Sequence, residues 1–215
     1  MDYKAFASFS GGKDCHLSIL RAQETGWEVR FLFTMLQEDG AFSRAHHLPS
    51  FILERQAQAM GLELQKANAT WEEYEDNFKE TIRFLKGKGI NSGVFGDIDL
   101  AEHREWVERV CKEEGIYPLL PLWGEEHQKV AQEIVKRGFV AFVIMVNDQF
   151  LDSRYLGRRY DYSLIEELVN LGIDPCGEKG EFHTLVVDGP LYHYPIPYQW
   201  GEIKEEDGHH FIEVK

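Results

Sequence analysis

The run Val29–Met35 reads VRFLFTM, with only Arg30 and Thr34 polar. A segment this apolar has no wet face, so it predicts a strand covered on both sides, as in a parallel sheet. Parallel strands need crossover connections, and the flanking sequence supplies them. Strand-like runs at Lys4–Phe9, Leu62–Ala67, Gly93–Phe95 and Ile116–Leu119 alternate with helical patterns. Those helices span Lys13 to about Thr25, with Gly26 placed to end it, then Phe51–Met60, Glu72–Lys86 and Ala101–Glu114. The third sets Tyr74, Phe78, Ile82 and Leu85 on one face, and the fourth does the same with Trp106, Val107, Val110 and Cys111. The alternation predicts an α/β fold with a parallel sheet and right-handed crossovers.

The pattern changes after Pro121-Leu122-Trp123. A helix is expected over Glu126–Arg137, a strand over Val140–Val146 and a helix over Asp161–Leu171 that Gly172 would cap. From Cys176 onward the chain reads as β, with Thr184–Asp188 and Gly201–Lys204 as strands. Asp207-Gly208 sits between two strand-like runs as a hairpin turn. A boundary near Leu120–Trp123 therefore divides residues 1–121 from a smaller α+β domain at 122–215.

Composition narrows the partners. The 215 residues carry 23 basic and 37 acidic side chains, a net charge of −14, which repels nucleic acid and anionic membrane at long range. No window is apolar enough to span a bilayer, and the N-terminus lacks a signal-peptide pattern. Cys15, Cys111 and Cys176 are odd in number and far apart, the usage of reduced thiols. These features predict a cytoplasmic protein that binds neither nucleic acid nor membrane.

The chemistry concentrates between the first strand and first helix, at Ser10-Gly11-Gly12-Lys13-Asp14-Cys15. Adjacent glycines let the backbone turn and approach a ligand, and a helix N-terminus presents N–H groups to an anion. Lys13 adds a mobile cation and Ser10 a hydroxyl, so the loop suits a phosphate or pyrophosphate. It is not a Walker A loop, because Ala7 and Asp14 occupy two of the required positions, and the dinucleotide fingerprint is absent as well. Asp14 has two readings, a metal ligand or a charge favouring the helix start. Asp97, at a strand end, is either a ligand-crevice residue or the cap of the next helix.

This loop resembles the SGGKDS loop of the N-type ATP pyrophosphatases, with Cys15 in place of the usual serine. Cysteine keeps the size but bonds more weakly, while the backbone N–H contacts survive. Further segments are similar to the diphthine–ammonia ligases within that group. They are Phe95-Gly96-Asp97-Ile98 with Arg104, Pro121-Leu122-Trp123, Gly177-Glu178-Lys179-Gly180-Glu181-Phe182-His183-Thr184, and Leu185 to Pro190. The resemblance covers nearly the whole chain. It implies a Rossmann-like, adenine nucleotide alpha hydrolase-like domain over residues 1–121 and a substrate-binding domain beyond it. The implied reaction activates the carboxylate of diphthine, a modified histidine on translation elongation factor 2. ATP forms the acyl-adenylate, pyrophosphate leaves, and ammonia then displaces AMP to give diphthamide. The implied nucleotide site comprises Ser8, Ser10, Gly11, Gly12, Lys13, Asp14, Cys15, Met35, Gly96 and Asp97, with Mg²⁺ on Asp14. Lys13, Asp14, Glu178, Glu181 and His183 are the expected catalytic set. Alternatives are another ATP pyrophosphatase, tRNA-modifying or adenylating a small carboxylate, and a non-catalytic adenine-nucleotide binder.

Roles within Gly177–Thr184 stay open. A carboxylate could take a proton from ammonium, His183 titrates in a suitable range, and either acid could instead attract the trimethylammonium group of diphthine. A solvated acidic loop is the plain alternative, although two glycines suggest a constrained turn. The adjacent His46-His47 pair lacks metal-site spacing, while the resemblance implies that this segment lies near the active-site mouth with a substrate role left unassigned, and His209-His210 belong to the hairpin. Trp123 reads as interface core, Gln37–Ala45 as a mobile lid, and the aromatic-rich second half as support for a homodimer.

Overall fold

The computed structural model describes residues 3–215. Strands β1 (Lys4–Ser8), β2 (Glu28–Leu36), β3 (Glu63–Asn68), β4 (Ser92–Val94) and β5 (Tyr117–Leu119) form one sheet, ordered β3-β2-β1-β4-β5. Every pairing in it is parallel. Helices α1 (Lys13–Glu24), α2 (Ser50–Met60), α3 (Tyr74–Gly87) and α4 (Ala101–Glu114) make the crossovers. The strand order reverses between β1 and β4. Such a switch point opens a crevice at the carboxyl ends of the two strands.

The apolar run of β2 is buried on both faces. Phe31, Phe33 and Met35 join Phe6, Phe78 and Val110 on one side, while Leu32 and Leu36 join Ile52 and Leu53 on the other. This two-residue alternation is the strand period, with both faces covered by helices or by the second unit.

The second unit contains α5 (His127–Lys136), β6 (Val140–Asn147), α6 (Tyr162–Asn170), β7 (Phe182–Asp188), β8 (Trp200–Glu206) and β9 (His209–Val214). Its sheet has the order β7-β6-β9-β8 and is antiparallel throughout. Asp207 and Gly208 have φ of 49° and 75°, the positive pair that a tight hairpin requires. The two units share their cores. Ile19 of α1 packs in one cluster with Leu185 and Val214, and Leu17 packs in another with Val143 and Phe182.

Two local expectations change. Gly124 N–H donates to Ile98 O at 2.8 Å, a turn that sends Leu122 into the core. Trp123 stays half-buried instead, with the Arg104 guanidinium 4.9 Å from its ring centroid. The 37–45 loop is tied down rather than free: Gln37 N–H donates to Phe42 O, Arg44 N–H to Met35 O, and Ser43 N–H to Leu48 O. No helix among the described residues is long and apolar enough to cross a membrane. The three cysteines are free and buried.

Candidate active site

The loop after β1 is held in shape by β7, an element of the other sheet. Val186 N–H donates to Gly11 O at 3.1 Å, and Lys13 N–H donates to Thr184 Oγ1 at 3.1 Å. Gln56 Nε2 bridges the two segments, donating to Gly11 O at 3.0 Å and to Val186 O at 2.7 Å. Gly11 has φ of 81°, and a Cβ there would meet Gln56 Oε1 and Leu48 Cδ1 at 2.8 Å. At Gly12, the cap of α1, a Cβ would stand 2.3 Å from His46 Cε1. No side chain caps α1, so apart from the Lys13 N–H its first-turn donors are left for a ligand.

Beside this loop lies a cleft of about 820 Å³ at the switch point. Ser8, Ser10, Lys13, Asp14, Cys15, Met35, Gly96, Asp97, Glu178 and His183 all line it. Gly11, Gly12 and Glu181 are buried behind its wall. Gly96 is the close-approach point between the β4 end and the loop, since a Cβ there would meet Cys15 N at 3.1 Å.

Lys13 is not the mobile cation expected from the sequence. Its Nζ bonds Asp14 Oδ2 at 2.8 Å and the carbonyl of Cys176, between the rings of Tyr160 and Phe182. Burial works against its charge, but Asp14 and the surrounding acidic groups outweigh burial and hold the amine protonated. Asp14 Oδ1 is buried with no partner, an acceptor left over for a ligand. Cys15 turns its thiol inward, donating to Gly12 O at 3.0 Å, and burial raises its pKa. The Met35 carbonyl is taken by Arg44 N–H.

The double-Glu segment is a constrained turn between α6 and β7. Gly177 and Gly180 have φ of 68° and 82°, and a Cβ on Gly177 would meet Phe182 O at 2.8 Å. Asp174 ties it off, accepting from Cys176 N–H and Glu178 N–H. Glu178 reaches across to accept from Ile98 N–H at 2.8 Å. Burial pushes its carboxyl up to about 7, reinforced by Asp14 and Asp97 and opposed by that hydrogen bond. Glu181, only 5% exposed, turns back to accept from Lys179 N–H at 3.0 Å. His183 departs from expectation: burial, then Lys13, lowers it to about 4, so it is neutral near pH 7.

Several further residues that the sequence assigned no role there line the cleft. His46 stacks on His183 with ring centroids 4.4 Å apart and bonds Thr184 O through Nδ1. Burial, His183 and Lys13 lower its pKa well below the ordinary value. An aromatic wall runs from Trp71 through Tyr74 and Phe78 to Trp106, with successive centroids 5.8, 6.1 and 5.0 Å apart. Arg44 covers Trp71, and His103 bonds Asp97 Oδ1 at 3.1 Å. The aromatic spacing on α3 was legible as a buried face, but not as a cleft wall.

Among the described residues, His127, Asp174 and Cys176 are the group whose ligand atoms converge, within 4.8 Å of one another. Asp174 and Asp99 already occupy the two imidazole nitrogens, and burial holds the thiol protonated. They form a hydrogen-bonded latch between the β4–α4 loop and the double-Glu turn.

Two family models match the chain, the diphthamide synthase N-terminal domain over residues 3–118 and the C-terminal domain over residues 126–215. A Bos taurus diphthine–ammonia ligase is 25% identical, the match covering 97% of this chain and 87% of that protein. The diphthine–ammonia ligase of Schizosaccharomyces pombe is 27% identical over 88% of this chain, which spans only 35% of that longer relative. A crystal structure described as a predicted subunit of tRNA methyltransferase from Methanocaldococcus jannaschii is similar at a TM-score of 0.48 and 17% identity. That match covers 87% of this chain and 97% of the other.

Proposed function

Because the chain belongs to the diphthamide synthase family, we propose that it is an ATP-dependent ligase joining ammonia to the carboxylate of diphthine on a protein, with release of AMP and pyrophosphate. The observation that carries this reading is the convergence at the switch point. The Ser-Gly-Gly-Lys-Asp loop after β1, Gly96-Asp97 after β4 and the double-Glu turn line or wall one cleft.

The first-turn N–H groups of α1 and the Lys13 ammonium favour the charge that develops on the departing pyrophosphate. Asp14, with its partnerless Oδ1, would hold Mg²⁺. The metal would supply charge neutralisation between phosphate groups. Glu178, poised near 7, takes a proton from ammonium to free the nucleophile. Glu181 fixes the turn that aims Glu178, and neutral His183 with His46 walls the loop. The aromatic residues from Trp71 to Trp106 offer a stacking surface for the base.

Translation elongation factor 2 as the carrier, a cytoplasmic setting and division of labour between residues 1–121 and 122–215 belong to the same proposal. So does a homodimer, supported by the exposed Phe150, Tyr162 and Leu171 of the second unit. The test is product analysis with Mg-ATP, ammonium and elongation factor 2 arrested at diphthine. AMP and pyrophosphate formed only with that substrate, together with conversion of acid to amide by mass, is the expected result. Nucleotide binding without turnover of that substrate would overturn it in favour of another carboxylate or an adenine-nucleotide sensor.

A further inference from the structure

The Asp188-Gly189-Pro190 turn that follows β7 does not line the cleft, and neither does His16 in the first turn of α1. His16 is fully buried, edge-on to Phe9 and Phe139 with ring centroids 5.1 and 6.0 Å away. Its Nδ1 lies 2.6 Å from Gly12 O and its Nε2 lies 2.7 Å from the Tyr192 hydroxyl. The Gly12 oxygen can only accept, so the ring proton belongs on Nδ1. Nε2 is then bare and accepts from the Tyr192 O–H. Burial lowers the pKa of His16 to about 4, so near pH 7 the ring carries the single proton that this arrangement needs.

Tyr192 comes from the second unit, and the turn sets it in place. Asp188 Oδ1 accepts from Gly189 N–H at 2.8 Å, and Gly189 O accepts from Tyr192 N–H at 3.0 Å. A Cβ on Gly189 would lie 2.4 Å from Phe139, the same ring that packs against His16. The hydroxyl is 3.3 Å from Val186 O, a longer contact than the one it makes with His16.

The relay from Tyr192 through His16 ends on one peptide of the phosphate loop. Adjacent glycines let peptide planes flip with little strain, and a flipped carbonyl would meet a phosphate with the wrong sign. Gly11 O is secured by Gln56 Nε2 and Val186 N–H. In the next peptide, Lys13 N–H rests on Thr184 Oγ1 and Gly12 O rests on His16. The helix backbone grips that oxygen weakly, since His16 N–H stands 3.4 Å away, and the Cys15 thiol at 3.0 Å is a weak donor. A flip would aim the oxygen toward Thr184, which lines the cleft. We propose that His16 and Tyr192 are positioning residues that keep the Gly12 carbonyl turned away from the nucleotide phosphates, so that the second unit sets the affinity of the phosphate loop for its anion. The inference rests on the phosphate-binding part of the ligase reading and on no property of the acceptor substrate.

The test is calorimetry with inorganic pyrophosphate and with ATP on wild type, Tyr192→Phe, His16→Leu and His16→Asn, with a thermal melt of each. Tyr192→Phe removes one oxygen and keeps the ring, so it cuts the relay while retaining the packing. Its Kd for pyrophosphate should rise about fivefold, the scale of one lost neutral hydrogen bond. His16→Leu frees the carbonyl and should raise Kd about tenfold. His16→Asn, whose amide can donate from the Nδ1 position, should return to within about threefold of wild type. Adding Tyr192→Phe to His16→Leu should change Kd no further, because the hydroxyl has already lost its partner. Nitrogen NMR at pH 7 should find His16 protonated on Nδ1 alone. A proton on Nε2, or a wild-type Kd in Tyr192→Phe, overturns the inference. A lower melting temperature in His16→Leu with unchanged Kd also overturns it, leaving both residues a packing role. If wild type binds neither ligand, the phosphate-loop reading falls and takes the inference with it. If wild type binds both and every variant matches it, the inference falls alone.

Discussion

Lys13 sits where it does because Asp14 and the Cys176 carbonyl share it, which makes one side chain both a phosphate-loop cation and a clasp between the units. Its removal should act first on adenylation. Lys13→Ala should slow ATP–pyrophosphate exchange by about 10²–10³-fold, the usual loss when a preorganised charge partner of the transition state is removed. Glu178 makes a second residue-scale prediction, with two opposite signs. A carboxyl held up to about 7 is a base only above that pH. The ratio of wild-type to Glu178→Gln amidation rate should therefore climb through about pH 7 to a plateau near 10²-fold. For stability, a carboxyl raised from its ordinary 4.5 is a cost that grows as pH rises between those values. Glu178→Gln should thus melt above wild type at about pH 8, with the gap closing toward pH 4.5. A variant that melts lower at both pH values would show that the carboxylate is fully compensated in the folded protein.

At the scale of elements, the phosphate loop is a joint product of β1, α1 and β7. The edge strand of the antiparallel sheet supplies Thr184 and Val186 to the loop, and Gln56 of α2 closes the arrangement. Gly11→Ala would place a Cβ on a positive-φ residue and against Leu48 and Gln56. Adding roughly 1–2 kcal/mol of left-handed backbone strain to roughly 1–3 kcal/mol of overpacking, urea unfolding should show a loss of about 2–5 kcal/mol. Gly26→Ala, with nothing within 4 Å of the added methyl, would lose only the backbone part. What the sequence makes legible follows from the same distinction. The parallel sheet could be read from β2 because an unbroken apolar run has local causes, and the turn at Gly177–Gly180 announced itself through its glycines. The captivity of Lys13 could not be read, since its carbonyl partner lies 163 residues away. His46 was placed near the site by resemblance but given no role, because adjacency argues only against metal binding. Nothing local says that its ring will lie on Gly12. Trp71 is exposed on a loop, where neither period nor burial marks it.

Across the whole molecule, the two sheets meet through α1 and through the latch centred on His127. Its Nδ1 lies 2.8 Å from Asp174 Oδ1 and its Nε2 lies 3.1 Å from Asp99 Oδ2. Burial disfavours the imidazolium, but Asp174 and Asp99 outweigh burial and hold its pKa above the ordinary 6.5. A histidine raised in the folded state stabilises fully below its unfolded value and loses that contribution as pH rises through the folded one. Wild type should therefore exceed His127→Gln in melting temperature most at about pH 6, with the difference shrinking above neutrality. His103 and His210 also titrate beside carboxylates, but they are common to both proteins and leave the difference intact. Thermal melts of the two proteins across that range check the prediction, and a pH-independent gap would mean that the bridge is held by neutral hydrogen bonds alone. The consequence reaches the cleft, because Asp174 also accepts from the backbone of Cys176 and Glu178. When the latch discharges, the carbonyl that holds Lys13 and the carboxylate poised for ammonium lose a support together. Adenylation and amidation in His127→Gln should accordingly decline in parallel rather than one step failing alone.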